Sequence, residues 1–137
     1  MSKLCNLKSK IWTDEKILAT NPLELAFVGD AVFTLFIRQN IVNEHSASAN
    51  VLSRLASKQV NAGAQYKIYR AIEPALSDYE KELCKRARNA NMKSKAKNYS
   101  VTEYIYATAF EALLGYLYLT NKQDRLSEIL KLSLENL

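Results

Sequence analysis

The chain has 137 residues, with 19 Lys+Arg against 14 Asp+Glu and a formal net charge of +5. Apolar residues make up 48% and charged residues 24%, a globular balance that excludes a disordered tail or a collagen-like chain. Three Gly and two Pro are too few punctuators for many short strands, so the composition predicts a mainly helical fold with one core, read as a single domain over residues 1–137.

Taken in order, the chain opens with a polar stretch that has no apolar secretory region, and no uninterrupted apolar run approaches the ~18 residues of a membrane span. Cys5 and Cys84 lack the paired spacing of a zinc site and read as free thiols of a reducing compartment. These features predict a cytoplasmic protein without a membrane partner. Asn21 caps a helix with Pro22 at its first position, and apolar residues then run from Leu25 through Phe27, Val32, Phe33, Leu35 and Ile37 to Ile41. A helix apolar nearly all round is expected at the centre.

Ser46 or Ser48 starts the next helical segment, whose apolar positions recur at three- and four-residue steps to Ile72, with Gly63 as its candidate break. Ser77 and Glu80 form a capping-box pattern that opens a short helix, expected to fray near Asn89 to Asn91. From Thr102 to Leu119 runs a second all-round apolar helix, predicted to lie beside the first. The tail from Asp124 carries Leu126, Ile129, Leu130, Leu132 and Leu134, an amphipathic closing helix.

Two acids interrupt the two most apolar helices: Asp30 in the first and Glu111 in the second. Removing an ionised carboxylate from water costs several kcal/mol, so each needs compensation. A single such acid is explained by an Arg partner, a backbone cap or a solvated edge. Two on neighbouring core helices would repel unless a cation lay between them, and a hard divalent ion such as Mg²⁺ suits carboxylate oxygens. Such an ion offsets charge on a transferring phosphoryl group and acidifies a bound water, the chemistry of phosphodiester hydrolysis.

Between these helices, Lys81, Lys85, Arg86, Arg88, Lys93, Lys95 and Lys97 face one acid, Glu82. That segment is either a solvated charged loop or a grip for phosphates. Tyr99, Tyr104 and Tyr106 read as amphipathic packing residues, with base stacking as the alternative. His45 stands alone without ligand spacing, and no Gly-rich nucleotide-binding or nucleophile-elbow motif occurs.

The run Asn21-Pro22-Leu23-Glu24-Leu25-Ala26-Phe27-Val28-Gly29-Asp30-Ala31-Val32 resembles the ribonuclease III signature, whose core reads F-L-G-D-A-V. Phe110-Glu111-Ala112-Leu113-Leu114-Gly115 resembles that family's second helix. The stretch Arg86-Ala87-Arg88-Asn89-Ala90 and the run from Thr102 to Leu119 are closer to its short Mini-ribonuclease III branch, which has no double-stranded-RNA-binding domain. The likeness covers about residues 20–135.

The resemblance implies an all-helical, dimeric endonuclease of double-stranded RNA, with Asp30 and Glu111 binding Mg²⁺ (Mn²⁺ as a substitute) and products ending in a 5′-phosphate and a 3′-hydroxyl. It also implies Phe27 as a dimer contact, Arg86, Arg88, Asn89, Lys93, Lys95 and Lys97 as RNA contacts, and large-subunit (23S) ribosomal RNA precursor as substrate. Larger members carry further acids where this chain has Ala26 and Thr108, and the Mini branch resembles this chain in having the same reduced set. Glu24 does not replace the first of these, because a six-residue offset turns it about 120° away from Asp30. The alternatives are an RNA-binding module that does not cut, and a helical interaction protein whose two acids are structural.

Overall fold

The structure, a computed structural model, describes residues 10–92 and 99–137, with side chains at 10–91 and 101–137. The described residues form seven α-helices and no strand: α1 (Asp14–Leu18), α2 (Pro22–Glu44), α3 (Ala49–Val60), α4 (Ala62–Ile72), α5 (Asp78–Met92), α6 (Tyr99–Leu119) and α7 (Gln123–Glu135). The central packing is α2 against α6, with α4 and α5 also laid on α6 and α3 on α2. Phe33 and Phe110 meet edge-on across the main interface, ring centroids 5.1 Å apart.

Local chemistry sets the boundaries. Asn21 accepts from Leu23 N ahead of Pro22, and Ser48 rather than Ser46 caps α3 by accepting from Val51 N. Ser77 and Glu80 close the reciprocal capping box, at 2.9 and 3.1 Å. At the end of α6, Lys122 N donates to Leu117 O and Asn121 N to Tyr118 O, with Asn121 at φ 58°. That is a Schellman turn in which Asn takes the place usual for Gly.

Several sequence expectations shift. The break between α3 and α4 falls at Asn61, not Gly63: Asn61 is extended, and its Oδ1 accepts from Ala64 N to start a new helix. The first turn of α4 absorbs Gly63. Helix α5 does not fray at Asn89 to Asn91, because Asn91 is buried and donates from Nδ2 to Thr108 Oγ1 at 3.0 Å. Helix α6 begins three residues before Thr102, and α1 was not anticipated. On α7 the buried residue near the end is Ser133, while Leu134 is exposed.

Helix α2 is long and apolar enough to cross a membrane by length and composition, yet one face lines the core through Leu25, Phe33 and Ile37. Its other face is open, with Phe27, Leu35 and Val42 exposed. Elsewhere, Arg125 on α7 binds Glu80 through two bonds of 2.7 and 2.9 Å, and its Nη2 donates to Ala75 O. Burial pushes the Glu80 carboxyl up, but the Arg125 guanidinium and the Ser77 backbone outweigh it and hold the acid below its usual range.

Candidate functional site

The site lies where α2 crosses α6. Two glycines let the helices touch backbone to backbone there. A Cβ on Gly29 would stand 1.7 Å from Glu111 O, and one on Gly115 would stand 1.9 Å from Leu25 O. The residue after Gly29 is Asp30, and the carbonyl that Gly29 meets belongs to Glu111. The close crossing therefore brings both carboxylates to the same place.

That place is an open cleft of about 340 Å³, lined by Leu23, Ala26, Phe27, Asp30, Asn91, Tyr104, Thr108 and Glu111. Asp30 is exposed and Glu111 half-buried. Burial pushes the Glu111 carboxyl up to about 8, and a hydrogen bond and charge repulsion from Asp30 add to the rise, while a hydrogen bond from Gln65 opposes it. Thr108 accepts from Asn91 and donates to Tyr104 O at 2.9 Å. The polar wall is made entirely of oxygen donors and carboxamides. No cluster of three His, Cys, Asp or Glu side chains occurs among the described residues.

The other expected site residues are more dispersed. Phe27 sits on the cleft rim and is 82% exposed. Arg86 and Arg88 are half-buried and turned inward: Arg86 Nη2 donates to Leu18 O and Thr20 O at 3.4 and 3.3 Å, tying down the turn between α1 and α2. Arg88 Nη1 donates to Tyr69 Oη at 3.1 Å, and its guanidinium lies 5.1 Å from the Tyr106 ring centroid. Asn89 is exposed. Lys93, Lys95 and Lys97, and Tyr99 as a side chain, lie outside the described residues. Tyr106 packs against Tyr66 and Tyr69, while Tyr104 lines the cleft.

Sequence reading missed Gln65 and Asn91. Gln65 shares the buried face of α4 with Ile68, Tyr69 and Ile72, a polar residue on an apolar stripe. This is the same signal that marks Asp30 and Glu111.

Residues 23–122 match the family described as Ribonuclease III domain. The chain belongs to the ribonuclease III family. Within that family it is similar to the Mini-ribonuclease 3 of Thermoanaerobacter sp., 42% identical over 127 residues that cover 93% of this chain and 89% of the relative. It is also similar to the Mini-ribonuclease 3 of Brevibacillus brevis, 42% identical over 112 residues, covering 82% and 84%. A crystal structure of a Fusobacterium nucleatum protein superposes with a TM-score of 0.74 at 34% identity, covering 84% of this chain and 92% of that one. The fold is thus the all-α ribonuclease III fold, and the chain is an endoribonuclease of the Mini-ribonuclease III branch.

Proposed function

We propose that this ribonuclease III-type enzyme hydrolyses double-stranded RNA with Mg²⁺, using Asp30 and Glu111 as the residues that hold the cation. The observation that carries this reading is the pairing of the two carboxylates on one cleft at the α2–α6 crossing. Their donor set fits the ion. It is all oxygen, it supplies the one or two carboxylates Mg²⁺ usually takes, and the repulsion from Asp30 that adds to the burial-driven rise of Glu111 is what a divalent charge would relieve. Mn²⁺ suits the same oxygens. When bound, the ion would supply a more acidic water and offset charge on the phosphoryl group. The chain's own part is to hold that ion on Asp30 and Glu111, with Thr108 beside them on the cleft wall, and to leave the cleft open for an RNA strand.

The reading extends to a cytoplasmic, single-domain catalytic unit acting as a homodimer, with ribosomal RNA precursor as substrate, as the family resemblance implies. The exposed Phe27, Leu35 and Val42 on one face of α2 support self-association, because an apolar helical face of this kind is seldom left to water. Phe27 is the proposed contact. Phosphate contacts are assigned to Asn89, to Lys93, Lys95 and Lys97, and to whatever guanidinium surface Arg86 and Arg88 keep beside their internal bonds.

Incubating the protein with a blunt double-stranded RNA and Mg²⁺ at low salt is expected to yield fragments ending in 5′-phosphate and 3′-hydroxyl, with activity falling steeply as salt rises. Binding without cleavage would replace this reading by the RNA-binding module. Neither binding nor cleavage would leave the acids structural.

A further inference from the structure

Of the buried polar side chains among the described residues, Asn91 and Thr108 alone line the cleft that holds Asp30 and Glu111. Asn91 belongs to the last turn of α5. Thr108 belongs to α6, where helical spacings of four and three put it on one face with Tyr104 and Glu111. Asn is a poor residue for a helix, so α5 has no local reason to keep its last turn there. The distant reason is the bond from Asn91 Nδ2 to Thr108 Oγ1, 3.0 Å long and buried. A hydroxyl has one proton to donate and two lone pairs that accept. The Thr108 proton goes to Tyr104 O at 2.9 Å, because a carbonyl only accepts, and one lone pair takes the Asn91 N–H. Thr108 is left able only to accept.

We propose that Thr108 Oγ1 is a third oxygen of the cation site and that Asn91 is its positioning residue: the Asn91 N–H keeps the Thr108 proton turned onto Tyr104 O, so that only an acceptor is offered to the hydrated ion. The proposal rests on the reading of Asp30 and Glu111 as the cation-holding residues. Mg²⁺ takes one or two carboxylates and keeps several waters, all of which donate, so a neighbour that accepts without donating suits it. A purely structural role does not call for this arrangement. The bond to Tyr104 O by itself satisfies a helical Thr, and an apolar residue in place of Asn91 would avoid burying a carboxamide. Partners that orient the groups around a metal characteristically matter to its binding, and their loss weakens affinity about 10- to 100-fold.

The test is calorimetric titration of the RNA-free protein with Mn²⁺, comparing the parent with Thr108→Val, Thr108→Ser, Asn91→Leu and the Asn91→Leu/Thr108→Val pair. Thr108→Val is expected to bind Mn²⁺ about tenfold more weakly and to lower kcat for double-stranded RNA with little change in KM, while Thr108→Ser, which keeps the hydroxyl, stays near the parent. Asn91→Leu is expected to weaken Mn²⁺ binding too, and the double variant to bind no more weakly than Thr108→Val, because Asn91 acts through Thr108. Unchanged Mn²⁺ affinity with only an altered melting temperature, an equal loss in Thr108→Ser, or additive losses in the pair would each overturn the proposal. If Asp30→Asn and Glu111→Gln leave Mn²⁺ binding intact, the reading of the site itself fails, a result distinct from failure of the Asn91–Thr108 claim alone. Should the apolar variants not fold, the side-chain amide resonances of Asn91 in the parent decide: a shift on Mg²⁺ addition, absent in Glu111→Gln, supports the proposal, and no shift at saturating Mg²⁺ overturns it.

Discussion

Glu111→Gln is expected to abolish cleavage, by a factor of about 10³ or more, while making the cation-free protein more heat-stable at pH 8. The first effect follows from removing one of two carboxylates that hold the ion, since a catalytic metal contributes several kcal/mol to the transition state and each 1.36 kcal/mol is tenfold in rate. The second follows from the carboxyl's raised pKa. Burial first, and Asp30 beside it, push Glu111 from its ordinary 4.5 up to about 8. The folded chain therefore keeps a proton that the unfolded chain has already lost across that interval. Its stabilising effect is complete below about pH 4.5 and is lost as pH rises through about 8.

Gln carries no such proton, so this component of the fall in melting temperature between pH 5 and 8 should vanish in the variant. Mg²⁺ should restore stability to the parent at pH 8 and not to Glu111→Gln. Thermal unfolding at a series of pH values, with and without Mg²⁺, gives both readouts. A variant that keeps the parent's slope, or cleaves within tenfold of it, contradicts the assignment.

Gly29→Ala is expected to cost about 3 kcal/mol of stability and to remove activity with it. Overpacking a tight core ordinarily costs about 1–3 kcal/mol, where side chains at the contact shift aside. Here the added Cβ meets backbone: Glu111 O at 1.7 Å and Gly115 N at 2.9 Å. Neither atom moves without its helix, so α2 and α6 must separate. Gly115→Ala repeats the collision from the other side, against Leu25 O at 1.9 Å.

Because the struck carbonyl belongs to Glu111 itself, separation displaces one carboxylate relative to the other. For a domain of this size the loss corresponds to roughly 10 °C in melting temperature. Denaturant titration measures the cost directly. A loss below about 1 kcal/mol with cleavage intact would mean that the crossing is looser than the backbone contact implies.

Much of this arrangement was legible in the residues. Asp30 and Glu111 stand out because a carboxylate inside an all-round apolar helix has no packing reason to be there, and the same logic would have found Gln65 on the buried face of α4. Capping chemistry located Asn21 and the Ser77–Glu80 pair because those interactions are local in sequence. What escaped depends on distant partners. The inward turn of Arg86 and Arg88 requires Leu18, Thr20, Tyr69 and Tyr106, none of which is near them along the chain.

Asn91 looked like a fraying end until Thr108 came within 3.0 Å of it. Gly63 looked like the break because glycine weakens helices, yet Asn61 won by offering a competing acceptor to Ala64 N. Apolarity alone likewise could not say that Phe27 faces outward while Phe33, six residues on, is fully buried.

The central claim is that Asp30 and Glu111 jointly hold a divalent cation in the cleft between α2 and α6. Anomalous diffraction from crystals soaked in Mn²⁺ tests it most directly. The account predicts a peak bridging the two carboxylates, absent from Glu111→Gln crystals treated alike. A Mn²⁺ peak elsewhere on the protein, with the space between Asp30 and Glu111 empty, would contradict it.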